Sequence, residues 1–291
     1  RAVRGAEGQT ARPAMSNPMV ITAAMVGAET TREQTPYLPI SAEEIAEDAV
    51  KCRDAGAAMV HLHVRTPDGK PSQDTELFRA AIRAIRKRTD ILIQVSTGGA
   101  VGMNVDERCG GLRLTGEDRP DMATLTTGTV NFGDEVFWNP RPLVRDIARR
   151  IKALGLRPEF ECFDVGMVDE ARALAKEGVA ELPGHFDFVL GVPGALTARE
   201  DALDFMIKSL PEGSTWTVAG VGRHQLPFVE LAAERGGNAR VGLEDNIYVS
   251  KGVLAKGNWE LVAEAAKRAK AKGRTLATPQ EARKLLRLDA A

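Results

Sequence analysis

The sequence carries almost no net charge: 39 basic and 40 acidic side chains in 291 residues leave a formal charge of −1, so no positive field is available to draw in nucleic acid. Nucleic acid is not an expected partner. Cysteine is scarce, and Cys52, Cys109 and Cys162 are odd in number and form no CxxC pair, which argues against both a disulfide framework and a thiolate zinc site. A reducing, cytoplasmic setting is the expectation. Long apolar runs are also missing. No stretch approaches the roughly 18 consecutive apolar residues of a membrane span, and Arg1 to Pro18 lacks the apolar core of a secretory signal. No membrane partner is expected. The sequence opens on Arg1 and its first methionine is Met15, so 1–18 is expected to be a loose N-terminal extension and 19–291 a single catalytic domain.

What is present is an alternation of short apolar, β-branched runs with amphipathic stretches, the signal for βα units on a parallel sheet. There are eight such runs: Met19–Gly27, Ala58–Arg65, Ile91–Gly98, Met122–Thr129, Pro158–Asp164, His185–Val192, Ser214–Gly222 and Asn238–Asn246. Helices are predicted between and after them, at Ala42–Ala55, Thr75–Lys87, Pro142–Leu154, Glu170–Glu177, Ala198–Ser209, Leu226–Arg235 and Trp259–Lys272. Ser41 with Glu44 and Thr197 with Glu200 read as capping boxes. Thr278, Pro279 and Glu281 predict one more helix after the eighth unit. The fold class is therefore α/β, a (β/α)8 TIM barrel with an extra C-terminal helix. A doubly wound sheet is the alternative. Its usual glycine-rich phosphate loop is absent, because Val26-Gly27-Ala28-Glu29 follows the first run with no GxGxxG or Walker pattern. Gly102 to Pro120 reads as an extended loop overhanging the barrel mouth.

Both faces of a barrel strand are covered, so a polar strand residue needs a reason. In the second run, Val60, Leu62 and Val64 alternate with His61, His63 and Arg65. The apolar set must face the helices, which turns the histidines inward near the strand's carboxyl end, about 6–7 Å apart along the backbone. One cation can bridge two such imidazoles. On the eighth run Val241 and Leu243 take the helix side, leaving Arg240, Gly242, Glu244 and Asn246 facing in. Because strands eight and two flank strand one, His61, His63 and Glu244 can converge above its end, where Glu29 lies. Two imidazoles and a carboxylate suit zinc, and suit ferrous iron as well. Gln94, Ser96, Thr124, Thr126, Glu159 and Glu161 face inward by the same parity. Gly220-Val221-Gly222-Arg223 is either a phosphate-binding corner or a tight turn.

These residues together carry a resemblance. Thr22-Ala-Ala-Met-Val-Gly-Ala-Glu29, Gly56-Ala-Ala-Met-Val-His61-Leu-His63-Val-Arg65, Gln94-Val-Ser-Thr-Gly-Gly99, Asn131-Phe-Gly-Asp134, Phe186-Asp-Phe-Val-Leu-Gly-Val-Pro-Gly194, Val218-Ala-Gly-Val-Gly-Arg223 and Arg240-Val-Gly-Leu-Glu244-Asp245-Asn246 stand in order along the chain. The sequence resembles the β-keto acid cleavage enzymes from Met19 to Leu288. The resemblance implies a zinc-dependent homotetramer that turns a β-keto acid and acetyl-CoA into acetoacetate and a new acyl-CoA, by Claisen and retro-Claisen chemistry through a metal-held enolate. It implies His61, His63 and Glu244 as zinc ligands and Asp245 with Arg240 as the proton-transfer pair. Ser96 and Thr126 would contact the keto acid, Gly98 and Gly99 would offer backbone amides to it, and Glu29 would lie near its amino end. Strict alternation turns Asp245 away from Arg240, so the strand must have ended or bulged there. The rival reading is a metal-dependent hydrolase of the amidohydrolase kind. That plan wants its histidine pair on strand one and further ligand histidines after strands five and six, whereas here the other two are His185 and His224.

Overall fold

A computed structural model describes residues 17–289; the expected N-terminal extension, apart from Asn17 and Pro18, lies outside the described residues. Eight parallel strands close into a barrel: β1 (Ile21–Ala24), β2 (Met59–Leu62), β3 (Leu92–Val95), β4 (Met122–Thr126), β5 (Pro158–Cys162), β6 (His185–Leu190), β7 (Thr215–Gly220) and β8 (Asn238–Val241). Each lies inside one of the eight expected runs. Around them stand α1 (Ala42–Ala55), α2 (Thr75–Arg86), the short α3 (Val105–Arg108), α4 (Arg141–Ala153), α5 (Val165–Lys176), α6 (Glu200–Lys208), α7 (Gln225–Arg235), α8 (Asn258–Ala271) and α9 (Pro279–Leu285). Among the described residues no helix is long and apolar enough to cross a membrane.

The apolar half of each strand's alternation builds the shell between strands and helices. Val60, Leu62 and Val64 are buried there with Phe78 and Ile82 of α2. A separate cluster plugs the barrel's amino end, where Val20, Met59, Leu92 and Met122 meet Ala282, Leu286 and Leu288 of α9 and its flank. That is the task of the extra C-terminal helix. Its start is the predicted one: Thr278 Oγ1 accepts from Glu281 N, Glu281 reaches back to the cap backbone, and Pro279 fills the first turn.

Two local expectations need correction. Ser41 and Glu44 do form a capping box, but Thr197 and Glu200 do not: α6 starts at Glu200 with Arg199 as an uncapped N-terminal flank. The Thr197 carbonyl accepts from Arg199 N at 2.9 Å, so the chain makes one more turn before helix can begin. The segment 102–120 is not an open overhang either. Asn104 caps α3 through its own capping box, and two 3-10 turns follow. The segment then folds down onto α2, where Thr75 donates to Gly110 O and Asp118 is held by Arg79 and Arg83. From within it Arg108 reaches back to the barrel mouth, where it donates to Thr97 O at 2.7 Å.

Candidate active site

His61 on β2 and His63, one residue past its end, do stand at the carboxyl end of the barrel, with ring centroids 5.1 Å apart. His61 pairs across β3 with Gln94, and its Nδ1–H donates to Gln94 Oε1 at 2.7 Å. In the neutral ring that bond leaves Nε2 as the nitrogen facing Glu244. The Nε2 atoms of His61 and His63 lie 3.5 and 3.6 Å from Glu244 Oε1.

Glu244 reaches this point because β8 stops at Val241. Gly242 takes φ +152°, and a Cβ there would lie 2.1 Å from Ala24 O, so only glycine lets the chain turn this tightly against β1. Beyond it the backbone amides of Asp245 and Asn246 both donate to Gly242 O. Alternation is therefore broken, and Glu244 and Asp245 both return to Arg240. Asn246, expected to face inward, instead bonds Gln225 and the Tyr248 backbone. Four further contacts clamp the turn: Asn258 Oδ1 accepts from Leu243 N, Gln225 donates to Gly242 O, Thr30 donates to Leu243 O, and Gly222 N donates to Asp245 O. Gly222, just after β7, thus supports the turn that carries Asp245. Gly27 also leaves room, since a Cβ on it would sit 2.5 Å from Glu244 Cγ.

Arg240 is the electrostatic hub. Its guanidinium donates to Glu244 Oε1 at 2.6 Å, to both oxygens of Asp245 at 2.9 Å, and to Glu161 Oε1 at 3.4 Å. It is 4% exposed. Burial works against its charge, but Asp245 and then Glu244 hold its pKa well above the ordinary value. Burial likewise opposes ionised Glu244, and Arg240 with the two imidazoles outweighs it and holds the carboxyl well below the usual range. For Asp245 the balance tips the other way: burial raises its pKa and Arg240 only partly pulls it back. His63 is pushed down to about 4 by burial, so its ring is neutral at ordinary pH and its lone pair is available.

His61, His63 and Glu244 form the group whose ligand atoms lie within 4.8 Å of one another. The donor set fits a divalent cation on two observations of this structure. Glu244 Oε2 is buried without a hydrogen-bond partner among the described residues, and the Gln94 contact aims His61 Nε2 at the cluster. Of the remaining histidines, His185 pairs with Glu159, Thr215 and Thr217 deeper in the barrel. His224 lies against Arg223 in the turn after β7. Neither joins the cluster.

The cluster opens on a cavity of about 300 Å3. Glu29, Ser96, Gly98, Gly99, His63, Arg240, Glu244 and Asp245 all line it. Glu29 stands exposed at its rim on the β1–α1 loop, which Arg65 holds by donating to Gly27 O and Thr30 O. Ser96 Oγ accepts from Gly98 N at 3.1 Å. With its amide turned to satisfy both neighbours, Gln73 accepts from Gly99 N and donates to Arg108 O. Thr126 is inward and buried but stands back from the cavity, donating to Glu161 Oε2 at 2.6 Å. Thr127 turns outward to Met167 O.

Sequence reasoning did not single out the apolar part of the lining: Phe132, Phe137, Phe163, Val189, Val192 and Val221. Two of these come from a hairpin, 130–137, inserted after β4, and nothing in its spacing marks it as facing inward. Asp187 was also missed, although it shares His185's parity on β6. The site thus combines ion-binding and titratable groups with an apolar lining of phenylalanines and valines.

The chain matches the beta-keto acid cleavage enzyme family over residues 18–288. It is 51% identical to the 3-keto-5-aminohexanoate cleavage enzyme of Fusobacterium nucleatum subsp. nucleatum, across 94% of this chain and 99% of that one. It is 39% identical to the 3-oxoadipate:acetyl-CoA acetyltransferase of Cupriavidus necator, across 94% and 96%. Among solved structures, apo ObcA shares the fold with a TM-score of 0.75 at 23% identity, over 86% of this chain and 65% of that one. With a family match over nearly the whole described chain, this chain belongs to the beta-keto acid cleavage enzyme family.

Proposed function

We propose that the chain is a zinc-dependent enzyme that converts a cationic β-keto acid and acetyl-CoA into acetoacetate and a new acyl-CoA. The observation that carries the reading is the meeting of His61, His63 and Glu244 with the Arg240–Asp245 pair at one cavity. Zinc bound by the two imidazoles and Glu244 would supply Lewis-acid polarisation of the keto acid's oxygens, which makes its C2 proton more acidic.

Asp245 takes that proton. Its carboxylate is held by two guanidinium N–H groups of Arg240, 2.9 Å from each oxygen, which fixes its orientation and keeps it anionic while burial makes it a better base. The C2 carbon then forms a bond to the acetyl carbonyl carbon of acetyl-CoA. The CoA sulfur passes from that carbon to the former keto carbon, the bond between C2 and the keto carbon breaks, and Asp245 returns its proton to the acetoacetate fragment. The aromatic wall of Phe132, Phe137 and Phe163 keeps water from the thioester and from the carbanion. Ser96 and the Gly98–Gly99 backbone border the cavity where the carboxylate would lie, and Thr126 acts from behind through Glu161. Glu29, an exposed acid at the rim, suits a positively charged tail on the keto acid. The substrate named for the Fusobacterium relative carries an amino group, which supports the same choice.

The test is an acetyl-CoA-dependent assay over keto acids with cationic, neutral and anionic tails. The expected result is one acetyl-CoA consumed and one acetoacetate and one acyl-CoA formed per keto acid, with the cationic substrates preferred about threefold to fivefold in kcat/KM, the scale of an exposed, solvent-screened charge pair. Keto acid cleavage by water alone, leaving acetyl-CoA untouched, would contradict the reading.

A further inference from the structure

Beneath the cavity lie ionisable groups that the chemistry above does not use. Glu159 on β5 has Oε2 3.2 Å from His185 Nε2 on β6, and the His185 ring also meets the hydroxyls of Thr215 and Thr217 at 2.8 and 3.1 Å. Asp187, two residues further along β6, has no such company. It is fully buried, and neither of its oxygens has a hydrogen-bond partner among the described residues. Register places it beside Glu161 on β5 and Thr217 on β7. Arg240 Nη1 lies 3.6 Å away.

Four carboxyl groups thus surround one guanidinium. Glu161, Glu244 and Asp245 accept hydrogen bonds from it, and Asp187 does not. An ionised carboxylate with two unpaired oxygens, walled off from water, is strongly disfavoured, whereas the neutral acid is tolerated and can itself donate. Every neighbouring charge except that of Arg240 favours the neutral form. Glu159 and Glu161 face Asp187 from β5, and Asp245 lies beyond Arg240 at the end of β8. His185, on its own strand, is turned to Glu159, and β7 contributes the uncharged Thr217. Burial and then Glu159 push the Asp187 pKa well up, with Arg240 opposing.

We propose that Asp187 is a positioning residue held as the neutral acid: it packs beneath Arg240 without drawing on its charge, so that the guanidinium stays committed to Glu244 and Asp245 at the cavity. Its effect on turnover would pass through Arg240 alone, since Asp187 does not line the cavity. The kinetic part of the test rests on the activity proposed above; the spectroscopic part stands without it.

The experiment compares the full-length wild type with Asp187→Asn and Asp187→Ala. In infrared difference spectra at neutral pH, the wild type should show the carbonyl stretch of an un-ionised carboxyl group, shifted in D2O and missing from Asp187→Asn. Should that variant fail to fold, Asp187→Ser serves the same subtraction. Asp187→Asn, neutral and the same shape, should keep kcat close to wild type. Asp187→Ala, which leaves a void under the guanidinium, should lower kcat about tenfold with little change in KM for the keto acid. Absence of the carboxylic band from the wild type would overturn the proposal, because Asp187 would then be an ionised counter-ion. So would an Asp187→Asn variant as impaired as Asp187→Ala. If the wild type turned over no keto acid, the infrared result would still decide the protonation state.

Discussion

Asp245→Asn is expected to bind divalent metal as the wild type does and to lose about 10³-fold in turnover. The amide has the carboxylate's shape and its one oxygen can still accept one of the two Arg240 bonds, but it cannot take a proton. The three ligand residues are untouched, and Glu244 keeps its own 2.6 Å bond to Arg240. The proposed chemistry begins with proton removal, so the variant should fail at the first step. The direct measurement is loss of the keto acid's C2 proton signal in deuterated buffer without acetyl-CoA. Wild type should exchange and Asp245→Asn should not. Exchange at the wild-type rate in the variant would remove Asp245 from its role.

His61→Ala is expected to lose metal and turnover together. Outer partners of metal ligands typically account for 10–100-fold in metal affinity, and a ligand itself should exceed that. The loss should be specific, because what surrounds His61 is held by other bonds. Glu244 remains tied to Arg240, and the β8 turn keeps its contacts to Asn258, Gln225 and Thr30. Gln94 Oε1 loses its 2.7 Å donor, a cost in stability of about 1–3 kcal/mol. Metal content by elemental analysis and turnover on the same sample make the check. A metal-free variant with full activity would refute the site.

How far the sequence could be read follows from where its periodicities hold. The histidines of β2 were legible because period two runs unbroken from Val60 to Val64, so parity alone turned both rings inward. Arg240 was legible on β8 for the same reason. Parity failed five residues later, at Asp245. The close approach of Gly242 to Ala24 O ends the strand, and this long-range contact is what brings Glu244 and Asp245 to the same guanidinium. The resemblance supplied Asp245 where alternation pointed it away. Asp187 was illegible as a functional candidate because an aspartate between two phenylalanines, Phe186 and Phe188, gives no sign that both of its oxygens will lack partners. That is set by which groups β5, β7 and β8 place around it. The aromatic wall was hidden for a related reason. Phe132 and Phe137 belong to an insertion that pairs only with itself, so barrel periodicity says nothing about its direction. Thr197 misled because a Ser/Thr-x-x-Glu spacing shows only that a capping box is possible, and here a local turn came first.

The most direct measurement on the whole account is anomalous diffraction above the zinc edge from crystals of the full chain grown with zinc. The account predicts one strong peak bonded to His61 Nε2, His63 Nε2 and a Glu244 carboxylate oxygen, with the Asp245 carboxylate close by and still held by Arg240. A zinc-saturated crystal with no peak between those three side chains would contradict it.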